Sequence, residues 1–421
     1  MTAPVRPPKD LESPAARRAR HAWCLYDFGN SGFAVVFPVA FAVFFAKTIV
    51  GGDDGRGDAL WGILQSTSMA LVALTAPFLG GVADHAGARG RLLAVSTALG
   101  VCVVLAFHVL GPGMILVAFV LGALANVAFE GSNVFYNAYL PDLAPTSHQG
   151  RLSARAFGLG YFGSLVALGA VAGLTQAGAG AHVWTWVALQ WAFGGFIAYR
   201  WLPRDRPTGT GLWRAGTDGF KRTGATLREV WRNLRLRRFL IAYFIYKDGV
   251  HTVIVFAALY AEGTLGYASG ELFGLIALVQ LTALVGALAL AGPIDRWGPQ
   301  RIVLGLLLWW LGVVVGAYLA PDKTTFAVVA GLAGLGLGSI QAASRAFMAR
   351  LIPSGKEAEY FGFYALCGKT GAILGPLVFA GVTWALAGDR RPAVLSVAVF
   401  FLLGGWLLRR VSDEPVEPTT P

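Results

Sequence analysis

GGVADHAGARGR, residues 80–91, lies between two apolar runs, and a weaker copy of it, AGPIDRWGPQR, returns at residues 291–301. Gly80, Asp84, Gly87, Arg89 and Arg91 of the first copy are echoed by Asp295, Arg296, Gly298 and Arg301 of the second. Glycine permits a tight turn and lets two helices approach closely. An aspartate here can accept hydrogen bonds from the N-terminal end of a neighbouring helix and pair with an arginine, latching one conformation. A basic turn of this kind is also ordinary in membrane proteins. Its recurrence at an equivalent place is what singles it out.

Outward from this turn, apolar stretches fill almost the whole chain. They lie at 23–50, 59–82, 92–111, 114–138, 154–176, 182–202, 239–262, 271–294, 302–320, 325–349, 358–386 and 392–409. A helix needs ~20 mostly apolar residues to cross a bilayer core. Hydrophobic residues make up 56% of the chain and charged residues 14%, and the 55 glycines suit close helix packing in lipid. Membrane strands would be shorter, with alternating faces. The reading is an all-α membrane protein with twelve transmembrane helices in two pseudo-symmetric six-helix bundles.

The expected organisation is a polar tail at 1–22, a first bundle at 23–202, a linker at 203–238, a second bundle at 239–410 and a tail at 411–421. Internal repeats support the division. Asp27, Asn30 and Ser31 are matched by Asp248, His251 and Thr252 at a constant shift of 221, each set on one helix face. YLPDLAPTSH (139–148) aligns with FMARLIPSGK (347–356) at a shift of 208. Parallel repeats with a site between them are one way transporters are built. Within the linker, Leu227, Val230, Trp231 and Leu234 keep a helical apolar spacing, with Arg228, Arg232, Arg235 and Arg238 at other positions. That pattern fits an amphipathic helix on the cytoplasmic leaflet, or a solvated linker with some helix in it.

The turn motif and its echo resemble those of the major facilitator superfamily, with His85 where that family usually carries Arg or Lys. Four further stretches resemble one family within it: WCLYDFGNSGF (23–33), NVFYNAYLPDLAP (133–145), YKDGVHTVIVFAALY (246–260) and SRAFMARLIPSGKEAEYFGFYALCGKTGAILGPL (344–377). They are similar to the vacuole effluxers of yeast autophagy and their bacterial relatives, over about residues 20–410. The resemblance implies a transporter. Its yeast members are implicated in amino-acid export.

Net charge is +11. Arg56, Lys323, Arg390 and Arg391 lie in one set of loops, and Lys47, Lys247, Arg345 and Lys369 inside spans. Every other Lys and Arg falls in the tails and the opposite loops or, as Arg155, Arg200 and Arg409 do, within a few residues of the adjoining span end. Positive residues stay cytoplasmic, so both termini are expected there, in a plasma (inner) membrane. The basic excess reads as topology with some attraction for anionic headgroups, not nucleic-acid binding. Cys24, Cys102 and Cys367 all lie in spans and suggest neither disulfides nor a metal site.

Charges inside lipid usually mark a pathway. The candidates for a substrate or proton pathway are Asp27, Asn30, Glu130, Asn133, Asn137, Lys247, Asp248, His251, Gln341, Arg345 and Lys369. Asn126, Glu130, Asn133 and Asn137 form one polar stripe on the fourth span. It either lines the path or bonds helices together. Asp27 and Glu130 are either proton-coupling groups, through a pKa raised by desolvation, or halves of a gating salt bridge. Arg345 and Lys369 would suit the carboxylate of a solute, with an opposing acid for its amine. Pro38, Pro376 and the glycine-rich stretches 331–338 and 368–375 mark either close packing or hinges.

The histidines show no ligand spacing, and there is no nucleotide-binding loop, so no enzyme activity, cofactor or metal is expected. The expectation is a secondary transporter of small solutes, monomeric, exporting amino acids or similar metabolites with proton coupling. A facilitator or lipid transporter of the same fold, and a non-transporting scaffold or sensor, remain as alternatives.

Overall fold

A computed structural model describes residues 13–51, 55–205, 223–263, 265–370, 375, 378, 382 and 394–412. Among them the chain is helical throughout, without strands. The helices are α1 (Pro14–Val36), α2 (Arg56–Ala86), α3 (Arg89–Ala106), α4 (Ile115–Asn137), the short α5 (Leu140–Leu143), α6 (Gln149–Gln176), α7 (Val183–Trp201) and α8 (223–232). After them come α9 (Leu234–Gly263), α10 (Ser269–Ala289), α11 (Ala291–Trp297), α12 (Pro299–Leu319), α13 (Lys323–Leu351), α14 (Glu357–Thr370) and α15 (Ala398–Leu408). Eight of the described helices are long and apolar enough to cross a membrane by length and composition. A helix stands at each of the first ten expected spans. The last two, 358–386 and 392–409, lie partly outside the described residues.

Two elements depart from the expected spans for local reasons. Helix α1 begins at Pro14, before the apolar run, because the Ser13 side chain accepts from Ala16 N (3.2 Å) and proline occupies the first turn. Its continuation is wound as π-helix at Phe37–Phe41 and Phe44–Val50. Pro38 opens this stretch; it lacks an N–H and its ring crowds the preceding turn, which a wider winding relieves. The expected span 271–294 is two helices, α10 and α11, broken at Leu290 (φ −91°, ψ 4°). Pro293 cannot donate to the carbonyl four residues back, so an unbroken helix would lose a bond there.

By contact the chain forms two compact units. One comprises Met1–Leu143, Leu159–Thr223 and Gly355–Ala365; the other comprises Ala144–Gly158, Gly224–Ser354 and Leu366–Pro421. Each unit therefore takes most of one sequence half and a short piece of the other. Helices α6 and α14 change unit part-way along.

In the first unit, Gly29 and Gly194 let α1 and α7 touch backbone to backbone; a Cβ on Gly29 would lie 2.7 Å from Gly194 Cα. Gln190 of α7 donates to the carbonyls of Phe28 and Gly163, both at 3.0 Å, fastening α1, α6 and α7 together. Phe33, Phe37, Phe41 and Phe45 stack in sequence along the first helix and its π segments, with ring centroids 4.7, 5.0 and 6.1 Å apart. Trp61, Phe107 and Trp184 pack against them. In the second unit, α10 and α13 are in equally close contact, a Cβ on Gly338 running into the Ala283 carbonyl.

Candidate functional site

Asp84 and Asp295 hold the ends of other helices. Asp84 Oδ2 accepts from Glu359 N at 2.9 Å, in the first turn of α14. Asp295 accepts from Gly150 N (2.8 Å) and Arg151 N (2.9 Å), in the first turn of α6. The first amides of a helix have no partner within it, and its dipole favours an anion there. Both carboxylates meet that need. Around Asp84 the backbone comes in close: a Cβ on Gly80 would collide with the Ala358 carbonyl. The turns that follow require glycine, Gly87 standing at φ +59° and Gly298 at φ +85°. Burial pushes the Asp295 carboxyl above the usual aspartate value, against the pull of its two amide partners.

Arg89 is the centre of a charge network. It pairs with Asp142 (2.8 Å), Asp205 (3.0 Å) and Glu357 (3.7 Å). It also donates to the Ala138 carbonyl at 3.3 Å and lies over the Tyr139 ring. Gly90 N donates to the other Asp205 oxygen at 3.0 Å. Arg91, Arg296 and Arg301 are exposed. Motif reading found Asp84 and Arg89 but missed Asp142, Asp205, Glu357 and Glu359. Asp142 and the two glutamates lie inside the quoted stretches 133–145 and 344–377, where they read as ordinary loop charges.

The matched triplets of α1 and α9 repeat a hydrogen bond. Ser31 Oγ donates to the Asp27 carbonyl at 2.6 Å, and Thr252 Oγ1 to the Asp248 carbonyl at 2.7 Å. The two aspartates, both buried, then differ in their partners. Asp27 Oδ2 accepts from Tyr136 OH at 3.1 Å, and the Tyr136 ring stacks on Trp23 (4.7 Å) and Tyr26 (5.0 Å). Asp248 Oδ2 accepts from the backbone amide of Gly375 at 2.7 Å.

The polar stripe on α4 divides. Asn126 donates to Gln65 (3.2 Å) and Ser68 (2.8 Å) of α2. Asn133 accepts from Asn30 of α1 at 3.0 Å. Those two residues bond helices together. Glu130, between them, is buried, and Asn137 is half-buried.

In the second unit Arg345 is buried and engaged. Its Nε donates to Ser153 Oγ (2.9 Å), one terminal nitrogen donates to the Ser153 carbonyl (2.8 Å), and the guanidinium lies 3.9 Å over the Phe157 ring. Lys369 keeps other company. Lys369 and Lys247 are half-buried, and both charges act on half-buried His251, with Asp248 four residues from Thr252 on the same helix. Gln341, on α13 with Arg345, is also half-buried. The structure thus brings two cations, Lys247 and Lys369, to bear on the one imidazole of His251. It places Arg345 on Ser153 and Phe157. Among the described residues no group of His, Cys, Asp and Glu could hold a metal ion.

Residues 57–415 match the family model for Atg22-like vacuole effluxers. The chain belongs to that family. It is 30% identical to an uncharacterised MFS-type transporter, YxiO, of Bacillus subtilis, over 94% of this chain and 95% of that protein. It is 24% identical to autophagy-related protein 22-1 of Aspergillus niger, covering 80% of this chain and 70% of the relative. Among solved structures it resembles the human organic anion transporter MFSD10 at a TM-score of 0.76, with 17% identity over 94% of this chain and all of that one. It resembles the proton:xylose symporter XylE at 0.69, with 12% identity over 96% and 97% of the two chains. The fold is that of the major facilitator superfamily, as the repeated turn and the hydropathy pattern imply. This family member is an integral, multi-pass membrane protein of a transporter fold.

Proposed function

We propose that this protein is a secondary active transporter that moves small solutes by alternating access. The observation that carries the proposal is the pair of helix caps. An aspartate at the end of the second span of one sequence half holds the first turn of a helix that begins in the other half, twice, at equivalent places. Such caps are made or broken as whole bonds, which suits two discrete states. Two bundles, 23–202 and 239–410, joined by the linker 203–238, are the moving parts.

The finer reading is export of amino acids or similar small metabolites, with protons as the coupling ion. Lys247 and Lys369 supply positive charge for a carboxylate, and Asp248, on the same helix as Lys247, supplies negative charge for an amine. A zwitterionic solute needs both. Asp27 and Glu130 are the groups that would load and release the proton. Arg345, tied to Ser153 and Phe157, acts through helix position and not through solute contact. The protein acts as a monomer in the plasma (inner) membrane, both termini in the cytoplasm, in keeping with its lysines and arginines.

The test is flux of labelled amino acids in proteoliposomes, with and without a pH gradient. Stimulation by the gradient is expected, with loss of flux in Lys369→Ala while that variant still inserts and melts like the wild type. Flux of equal size without a gradient would make the protein a facilitator. Unchanged flux in Lys369→Ala would remove Lys369 from the solute path.

A further inference from the structure

Helix α8, in the linker, buries Thr226 and Val230, while Leu227, Trp231 and Leu234 are 49%, 60% and 45% exposed. Leu227 and Trp231, at i and i+4, form one exposed stripe on α8, and Leu234 follows it past Asn233 at the start of α9. Arg228 and Arg232, both exposed, each stand one residue further along and flank it. The Arg237 guanidinium sits 5.5 Å over the Trp231 ring and donates to the Trp231 carbonyl at 3.0 Å. Between residues 223 and 238, five arginines accompany a single acid, Glu229. The stripe is therefore apolar along its centre and cationic at its rim.

Its place in the chain adds a second fact. Only Asn233 separates α8 from α9. Asn233 Oδ1 accepts from Leu236 N at 3.2 Å, capping α9. Arg235 Nε donates to the Ser412 carbonyl at 2.6 Å, fixing the start of α9 to the end of the described chain. Helix α9 carries Lys247, Asp248 and His251. Whatever holds α8 thus acts, one residue later, on the helix that bears those three residues.

We propose that this stripe is a docking surface for anionic phospholipid, and that headgroup binding at α8 is transmitted through Asn233 to α9. The inference rests on the chain spanning a bilayer and on no particular substrate. Tryptophan and leucine enter the boundary between headgroups and acyl chains, and arginine takes phosphate oxygens through paired donors. Each cation near an anionic leaflet is worth about fivefold in association. A second copy of the chain would bring the same positive rim and be repelled by it.

The full-length protein, with Cys24, Cys102 and Cys367 replaced by serine and Leu227→Cys labelled with an environment-sensitive fluorophore, is placed in nanodiscs of phosphatidylcholine alone or mixed with phosphatidylglycerol. The label should shift to the blue in the mixed discs and stay unshifted in phosphatidylcholine. Arg228→Gln with Arg232→Gln should abolish the shift, and Arg228→Lys with Arg232→Lys should keep most of it. Hydrogen exchange over residues 236–250 should slow in mixed discs for the wild type and not for the double Gln variant. Equal emission in both lipid compositions, or a shift that survives the double Gln variant, overturns the lipid site. A shift in both compositions that grows with protein density assigns the stripe to a second copy and overturns it too. Exchange over 236–250 indifferent to phosphatidylglycerol overturns transmission through Asn233.

Discussion

Asp84 and Asp295 perform one backbone task in two electrostatic settings. Each accepts amide hydrogen bonds from the first turn of another helix, at 2.9 Å for Asp84 and 2.8 and 2.9 Å for Asp295. Beside Asp84 stands Arg89 with three carboxylates. At the equivalent place beside Asp295 stands Gln300, which donates to the Leu408 carbonyl at 2.9 Å. Where the first copy has Asp142, the second has Arg350, which donates to the Thr146 carbonyl at 3.4 Å. The cap is what the two halves share, and Asp295 too has a cation near it, Arg151 at 4.0 Å; what they do not share is one arginine serving three carboxylates. Amide donors at a helix end exist whatever the sequence, so a carboxylate placed there survives divergence of its neighbours. A charge network survives only if every member is kept.

The sharpest break of this comparison is Arg89→Ala. It leaves Asp142, Asp205 and Glu357 without their shared cation in a largely buried setting. It should cost about 3 kcal/mol in denaturant or thermal unfolding, and Arg89→Lys should recover only part, since a point charge cannot serve three carboxylates. Gln300→Ala should cost far less; equal costs would remove the distinction between the two regions. Next come the turns. Gly298, at φ +85° and ψ 146°, lies where side chains are scarcely tolerated, while Gly87 is in the ordinary left-handed region. Gly298→Ala should cost about 2 kcal/mol and Gly87→Ala about 1 kcal/mol, read as melting shifts. The caps themselves, Asp84→Ala and Asp295→Ala, should each cost about 1.5 kcal/mol. A double-mutant cycle then sharpens the comparison. Asp84 with Arg89 should couple by about 1 kcal/mol, whereas Asp295 with Gln300 should add to within about 0.5 kcal/mol. The smallest effect expected is Asn133→Ala, about 0.6 kcal/mol for one interhelical bond in a membrane protein.

The fold was legible because lipid leaves the backbone few choices, and a long apolar run in lipid can only be a helix. The repeats at 84 and 295, and at 27 and 248, were legible because they sit at constant shifts. The partners of those residues were not. Asp84 and Asp295 bind backbone amides, which carry no residue signature. Asp205, in the linker, looks like any solvated loop acid until the chain returns it to Arg89. The α4 stripe reads as one line, yet seven residues of helix rise about 10 Å. That is enough for Asn126 to meet α2 and Asn133 to meet α1. The placing of Arg345 on Ser153 and Phe157 depends on which face of α6 packs beside α13, and spacing within α13 cannot reveal that.

The wide winding at Phe37–Phe41 and Phe44–Val50 gives the first span slack. A π turn holds one more residue than the α turn it replaces. Shortening this stretch by one residue would be absorbed by tightening the coil, leaving Trp23, Asp27 and Asn30 facing as they do. In a regular α-helix the same deletion would rotate everything beyond it by about 100° about the helix axis. The first helix thus contains its own length adjuster, set between its polar face and the far end of its phenylalanine ladder.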